Sequence, residues 1–264
     1  MKLIDTHAHV EEIRDFEEAL SRARQNGVGA IVGVGSDLVS NQKILALSEL
    51  HSNFILPALG LHPWRLDREN IENTLSFIEK NVCRCVAIGE VGLDFAIPTP
   101  KEDQEKLFRK ILGIALRGKK PVLLHARRAW SEALEQLEIF GIERAVFHWY
   151  SGPLDVLKRI LDQGYFISAT PAAGYSDRHR QALKEAPLRQ ILLETDAPEK
   201  YQGKVSEPKD LIISWKAVSE LKKKTREEVA DTIWENSRDF FGLDTPQDSE
   251  RPDDLNPGPR EKPI

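Results

Sequence analysis

Eight short apolar runs, spaced roughly 20–35 residues apart, are the feature that most restricts the fold of this 264-residue chain. Most of them are continuous and rich in β-branched residues, as is typical of strands buried on both faces. Charged stretches with helical spacing lie between them. The predicted strands cover residues 3–5, 30–34, 54–59, 85–89, 121–125, 145–148, 165–169 and 190–194. The predicted helices include residues 15–25, 102–117, 131–140, 154–161, 208–223 and 226–241.

This alternation predicts an α/β fold, an eight-stranded parallel β/α barrel of the TIM type. An open doubly wound sheet is the alternative. Such a sheet binds nucleotides through a glycine-rich loop after its first strand, whereas residues 5–9 contain no glycine. Apolar residues make up 41% of the chain, enough for one sizeable core. Residues 1–243 are therefore predicted to form one barrel domain.

The composition changes from residue 244 onward. Residues 244–264 contain five prolines and nine charged residues but no aromatic residue. Such a segment cannot bury enough apolar surface to offset the entropy of ordering it. We predict a flexible tail there.

Charge and cysteine content restrict the partners and the compartment. The net charge is −5 and no run of Lys and Arg exceeds three residues, which disfavours extended binding to duplex DNA. A phosphate in a metal-rich pocket remains possible, because bound cations supply local positive charge. No apolar run is long enough to span a membrane. Cys83 and Cys85 are predicted to be reduced and no signal-peptide pattern precedes the first strand, so we expect a cytoplasmic protein.

The first predicted strand leads into Asp5-Thr6-His7-Ala8-His9. Residues two apart in an extended segment project to the same side, so His7 and His9 can bind one metal ion. Asp5 shares that side and is expected to ligate the metal or orient a histidine. Other candidate ligands follow later strands: Glu90 the fourth, His125 the fifth, His148 the sixth and Asp196 the eighth. All of them fall at the carboxyl ends of strands, where barrel active sites are built.

Six candidate ligands exceed what one catalytic ion needs, since such sites usually take about three protein ligands. The simplest division has two ions: His7, His9 and Asp196 hold one, His125 and His148 hold the other, and Glu90 bridges them. Two ions can clamp the attacking and leaving oxygens of a displacement and activate a water at neutral pH. Asp196 could then accept the proton of that water. Whether one or two ions bind, and whether they are Mg, Mn or Zn, stays open.

Further polar residues are expected near the same mouth. His62, in a Gly-x-His-Pro turn, is a candidate to contact a phosphate oxygen or to protonate a leaving group, or it is a structural turn residue. Arg127 is a candidate to bind phosphate, or it forms an ion pair. Asp94 is expected to fix the loop around Glu90. His179, between Arg178 and Arg180, is expected on a solvated helix face.

Two aromatic residues follow the candidate ligand His148. Trp149 and Tyr150 could stack on a base. Packing in the core is the preferred interpretation of both.

The motifs together resemble those of the TatD family of metal-dependent hydrolases, within the amidohydrolase-type barrels. The matching segments are residues 4–9 (IDTHAH), 60–63 (GLHP), 89–95 (GEVGLDF), 124–127 (LHAR), 147–152 (FHWYSG), 194–198 (ETDAP) and 207–208 (EP). The resemblance spans about residues 3–242. It implies a β/α barrel and a divalent-metal phosphodiesterase, typically described as a deoxyribonuclease, and it assigns metal roles to the same six residues.

Three positions depart from the family pattern. Arg128 stands where an acidic residue is usual, Glu199 where an aromatic residue is usual, and Ser206 where an asparagine is common. None is a candidate metal ligand. We expect all three to lie near the substrate and to affect substrate preference.

The expected function is hydrolysis of phosphodiester bonds, with DNA ends or single strands as the substrate, because a pocket at a barrel mouth reaches these most easily. The alternative is a metal-dependent hydrolase of a small amide, lactone or phosphoester. Many such barrels use a carbamylated lysine after the fifth strand, whereas Lys119 and Lys120 precede it here. A third possibility is a non-catalytic binding barrel, against which the full set of ligands argues. The oligomeric state is left open.

Overall fold

The eight predicted strands all form, and they lie in one parallel sheet in chain order, which confirms the barrel. The computed structural model describes residues 2–66 and 71–243, so the predicted tail at 244–264 lies outside the described residues. The strands are Leu3–Ala8 (β1), Val28–Val34 (β2), Ile55–Leu59 (β3), Ala87–Asp94 (β4), Val122–Arg127 (β5), Ala145–Phe147 (β6), Phe166–Ala169 (β7) and Ile191–Leu193 (β8).

Helices follow the strands and cover the outside of the sheet. They are Phe16–Gln25 (α1), Leu38–Leu50 (α2), Ile71–Asn81 (α3), Lys101–Gly118 (α4), Trp130–Phe140 (α5), Leu154–Asp162 (α6), Asp177–Glu185 (α7), Leu211–Lys222 (α8) and Arg226–Phe241 (α9). A short hairpin, Lys200–Tyr201 (β9) and Lys204–Val205 (β10), follows β8. Within the described ranges, no helix is both long and apolar enough to span a bilayer.

The barrel closes between β1 and the segment that follows β8. The backbone N–H of Asp196 donates to the carbonyl of His7 over 2.9 Å, and that of His9 donates to the carbonyl of Ala197 over 2.7 Å. Asp5 is fully buried and accepts a hydrogen bond from the backbone N–H of Thr195 over 2.9 Å. Asp5 therefore joins the two edges of the barrel, which brings the first candidate ligands next to the last one.

The apolar side chains divide between the two faces of the sheet. One buried cluster fills the inside of the barrel, and a larger cluster lies between the strands and the helices. Phe240 and Phe241, at the end of α9, belong to the inner cluster. Arg144, just before β6, donates to the carbonyl of Phe240 over 2.8 Å, which places these rings at the amino ends of the strands. Helix α9 thus closes the barrel floor.

His179 differs from its predicted environment. His179 is fully buried under α7, although it was predicted on a solvated face. Its Nδ1 donates to the carbonyl of Tyr150 over 2.8 Å, and its Nε2 accepts from the backbone N–H of Thr170 over 3.2 Å. Cys83 is exposed and Cys85 is buried, and both thiols are free.

Candidate metal centre

The other five candidate ligands gather around the buried carboxylate of Glu90, which lies in the middle of β4 rather than after it as predicted. Its Oε2 lies 3.4 Å from His7 Nε2 and 3.3 Å from His9 Nε2. Its Oε1 lies 2.9 Å from His125 Nδ1 and 3.1 Å from His148 Nε2. One carboxylate therefore faces two groups of imidazoles: His7 and His9 at Oε2, and His125 and His148 at Oε1. His62 lies at Oε1 as well.

Asp196 completes the group around His7 and His9. Its Oδ1 lies 3.6 Å from His7 Nε2 and 3.8 Å from His9 Nε2. The residue adopts a left-handed backbone conformation with φ 51°, which aspartate tolerates better than most residues. The strand-closing hydrogen bond to the carbonyl of His7 holds this turn in place. These three side chains form one of the groups whose donor atoms all lie within 4.8 Å of one another.

The donor atoms around His7 suit a divalent cation better than they suit one another. Among the residues that the structure describes, neither ring nitrogen of buried His7 has a hydrogen-bond partner. Ligands about 2.1 Å from a tetrahedral ion are separated by about 3.4 Å. The separations of 3.3–3.8 Å between these imidazole and carboxylate atoms match that value. Mixed imidazole and carboxylate donors accept Zn, Mn and similar ions.

The pKa shifts of the ionisable groups in the centre also favour a bound cation. Burial alone would lower the pKa of His9, but the hydrogen bond and charge of Glu90 outweigh it and raise the pKa to about 10. Burial would raise the pKa of Glu90, but the surrounding histidines hold it well below its usual range. Burial raises the pKa of Asp196. The carboxylate charge that favours protonated imidazoles here would equally favour a bound cation.

Two of the candidate ligands are oriented through their second ring nitrogen. His9 Nδ1 donates to the carbonyl of Val34 over 3.1 Å, which leaves Nε2 free to bind a metal. His148 Nδ1 lies 3.3 Å from Glu194 Oε1, which also accepts from the backbone N–H of Trp149 over 3.0 Å. Glu194 had no predicted role. Its position two residues before Asp196 in an extended segment was a usable signal, because residues two apart share a side.

His62 also lies against the Glu90 carboxylate, but its ring proton is on a different nitrogen from that of His9. The backbone N–H of Trp64 donates to His62 Nδ1 over 3.2 Å, so the ring proton sits on Nε2. That nitrogen lies 3.3 Å from Glu90 Oε1. Burial lowers the pKa of His62 to about 4, so the ring is neutral near pH 7. His62 also forms, with Glu90 and His125, a group whose donor atoms lie within 4.8 Å of one another. In the arrangement described here its Nε2–H points toward the Glu90 carboxylate.

Asp94, at the end of β4, links the centre to the wall of the cavity. Its buried carboxylate accepts from Trp64 Nε1 over 2.7 Å and lies 3.2 Å from His125 Nε2. It also accepts from Arg127 Nε over 2.9 Å, with Arg127 Nη2 at the same distance. Arg127 therefore forms an ion pair with Asp94, which was the alternative predicted for it. Asp94 orients His125 directly, beyond its predicted role of fixing a loop.

The backbone around Glu90 depends on two glycines. A Cβ on Gly60 would lie 2.5 Å from the backbone nitrogen of Glu90, closer than real Cβ atoms come. Gly92 has φ +143°, and a Cβ there would overlap the carbonyl of His125. Glycine is thus needed at both positions for β3, β4 and β5 to bring their ligands together.

A cavity of about 660 Å³ opens above the centre at the carboxyl ends of the strands. Trp149 lines it, while Tyr150 is fully buried, as preferred for core packing. Of the three departures from the family pattern, only Glu199 lines this cavity. Ser206 is buried and its Oγ lies 3.5 Å from the carbonyl of Thr195, whereas Arg128 is exposed beside Arg127. The effect of all three residues on substrate preference stays a prediction.

A parallel β/α barrel with a His-x-His strand and further imidazoles and carboxylates at its carboxyl ends defines a metal-dependent hydrolase of the amidohydrolase type. The family model "TatD related DNase" matches residues 4–242. The chain belongs to the TatD family of metal-dependent hydrolases.

Known proteins support this assignment over nearly the whole chain. Human deoxyribonuclease TATDN3 is 31% identical over 258 residues, covering 90% of this chain and 94% of its own. An uncharacterized metal-dependent hydrolase of Methanocaldococcus jannaschii is 30% identical, with 91% and 97% covered. The crystal structure of YjjV, a TatD homologue of Escherichia coli, superposes with a TM-score of 0.85 at 30% identity, with 92% and 98% covered.

Proposed function

We propose that this protein is a divalent-metal-dependent deoxyribonuclease that hydrolyses phosphodiester bonds at DNA ends or in single strands. The observation that carries the proposal is the division of the Glu90 carboxylate between two groups of imidazoles at the floor of one cavity. A bridging carboxylate is what a pair of cations clamping a phosphodiester requires. The name of the human relative, a deoxyribonuclease, supports the same choice of substrate.

His7, His9 and Asp196 would hold one cation, His125 and His148 the second, and Glu90 would bridge them. Bound divalent cations supply Lewis acidity and a water whose pKa is lowered to near neutrality. The Asp196 carboxylate, which lies beside His7 and His9, is proposed to accept the proton of the water. His62 Nε2–H is proposed to donate to a phosphate or leaving-group oxygen.

The cavity wall favours chain ends and unpaired strands. Arg127 lines the cavity beside His125 and offers positive charge to a phosphate. Glu12 and Glu199 line it as well as Arg65, so the lining residues that the structure describes mix both signs of charge, whereas a duplex favours a continuous basic surface. The free thiols of Cys83 and Cys85 support a cytoplasmic location.

The decisive experiment is a substrate panel run with Mg, Mn and Zn. Single-stranded oligonucleotides, blunt duplexes and a generic phosphodiester are compared with simple amides and lactones, each beside the Glu90→Ala protein. We expect metal-dependent cleavage of the single-stranded oligonucleotides that Glu90→Ala abolishes. Turnover of amides or lactones with oligonucleotides left intact would overturn the nuclease and favour the small-substrate hydrolase.

A further inference from the structure

Trp64 lies on the cavity wall directly beside the metal centre. Its ring makes edge-to-face contacts with the rings of His62 and His125, with centroid separations of 4.9 Å and 6.1 Å. The residue is nevertheless 53% exposed. Single exposed aromatic residues are common and need no explanation by themselves. The position of this one, in contact with two residues of the centre, is what calls for a function.

The ring of Trp64 is held in one orientation. Its Nε1 donates to the buried carboxylate of Asp94 over 2.7 Å, and its backbone N–H donates to His62 over 3.2 Å. The indole has no other polar atom, so turning the ring would break a charge-assisted hydrogen bond. An exposed aromatic surface that is already oriented loses little conformational entropy when a flat ligand stacks on it.

Arg127 extends this surface. Its guanidinium carbon lies 5.5 Å from the centroid of the Trp64 ring, and its side chain is 48% exposed. Its Nε and Nη2 both face Asp94, so one edge of the guanidinium is already occupied. A guanidinium used in this way still stacks on flat rings through its plane and still attracts anions. Asp94 therefore holds both an aromatic ring and a planar cation that lies over the face of that ring.

We propose that Trp64 and Arg127 form a stacking platform for a nucleobase of the DNA strand that is cleaved. This rests on the proposed nuclease function and names its substrate as an unpaired nucleotide, because a base inside a duplex has both faces covered. A base is joined to its phosphate through a single sugar. A platform in contact with His62 and His125 therefore lies within reach of the base when the phosphate sits at the metal centre.

The test compares kcat/KM for a single-stranded thymidine hexamer and for a hexamer of abasic deoxyribose phosphates. We expect the wild-type protein to prefer the thymidine hexamer by roughly 5- to 150-fold, the range for one stacked base. Trp64→Ala should remove most of this preference. Trp64→Phe should keep most of it, because a phenyl ring retains the stacking face without the N–H. Trp234→Phe, at a tryptophan packed against the inner cluster, is the matched control and leaves both rates unchanged.

Two results overturn the platform. If Trp64→Phe loses the preference as fully as Trp64→Ala, the residue acts through its hydrogen bond to Asp94. If Trp64→Ala slows both hexamers equally, it acts on the metal centre itself.

Binding of the two hexamers, measured by fluorescence anisotropy with metal-free protein, separates the platform from the nuclease. Tighter binding of the thymidine hexamer that Trp64→Ala abolishes supports the platform even if neither hexamer is cleaved, in which case the nuclease fails. Equal cleavage and equal binding of both hexamers by the wild type overturns the platform and leaves the nuclease in place.

Discussion

At the scale of single residues, the centre depends on side chains that hold the candidate ligands as well as on the ligands. The carboxylate of Asp94 contacts His125, Arg127 and Trp64 at once. An amide at this position keeps one acceptor oxygen and replaces the other with a donor. The orientation of His125 would then depend on whichever contact survives.

We expect Asp94→Asn to lower the affinity for Mn²⁺, or the rate of hydrolysis, by roughly 10- to 100-fold, the usual effect of removing a partner of a metal ligand. Isothermal titration with Mn²⁺ measures the affinity. Asp231→Asn, an exposed position on α9, is the matched control and should bind as the wild type does. Wild-type affinity and rate in Asp94→Asn would show that His125 needs no such partner.

His179 gives the folded protein a predictable response to acid. Burial lowers its pKa to about 4, below the value of about 6.5 for an exposed histidine. Between these pH values the imidazole of His179 binds a proton in the unfolded chain but not in the folded chain. The free energy of unfolding therefore falls as the pH drops from about 6.5 to about 4. The loss amounts to roughly 3 kcal/mol when complete.

Urea unfolding of the wild type and of His179→Gln at a series of pH values checks this response. Glutamine can donate and accept but does not titrate, so we expect the free energy of unfolding of the variant to fall less steeply below about pH 6.5. Parallel curves for the two proteins would contradict the assignment.

The same residues show what the sequence could and could not predict. The positions of His7, His9, His125, His148 and Asp196 near the carboxyl ends of strands follow from periodicity and chemical type alone. The contact between Trp64 and Asp94 joins residues 30 apart. It depends on how the turn after β3 packs against the end of β4, which no local pattern encodes. His179 was misplaced because of its charged neighbours, although Ala182 and Leu183 at helical spacing marked its buried face.

At the scale of elements, the strand boundaries carried the largest error in β4. The sequence predicted a strand at residues 85–89, whereas β4 spans Ala87–Asp94. The prediction stopped at the polar Glu90, because a buried carboxylate inside a strand is rare unless it is paired. Its imidazole partners come from other strands, so the exception is visible only in the assembled barrel.

Two glycine-to-alanine substitutions test the close approach of β3 and β4. We expect Gly60→Ala to destabilise the protein by roughly 1–3 kcal/mol, because the added Cβ must displace the backbone of Glu90. It should also weaken Mn²⁺ binding. Gly113→Ala, in the middle of α4 where only the flexible Arg117 side chain is near, should instead stabilise by about 0.5–1 kcal/mol.

Thermal unfolding with and without Mn²⁺ checks both substitutions in one experiment. The two variants carry the same added methyl group, so a difference in sign reports the local backbone alone. A Gly60→Ala protein as stable as the wild type and with wild-type Mn²⁺ affinity would contradict the close approach.

At the scale of the whole molecule, the candidate ligands are gathered from both ends of the barrel domain, so metal binding and folding should be strongly linked. A cation that binds only the folded state at 100 times its dissociation constant adds about 2.7 kcal/mol of stability. For a domain of this size we expect a rise in Tm of roughly 5–10 °C. Differential scanning fluorimetry against Mn²⁺ concentration measures it. Glu90→Gln should abolish the rise in Tm. A wild-type Tm that changes with neither Mn²⁺ nor Zn²⁺ would contradict the proposed metal binding at this centre.

The barrel closes where the segment after β8 meets β1, and Asp196 joins His7 and His9 only there. A nascent chain on the ribosome therefore cannot assemble the centre until its last barrel strand has been synthesised and has left the exit tunnel. Prematurely terminated products that end before residue 196 lack this ligand altogether. Metal-dependent hydrolysis thus requires that translation has run to the end of the barrel.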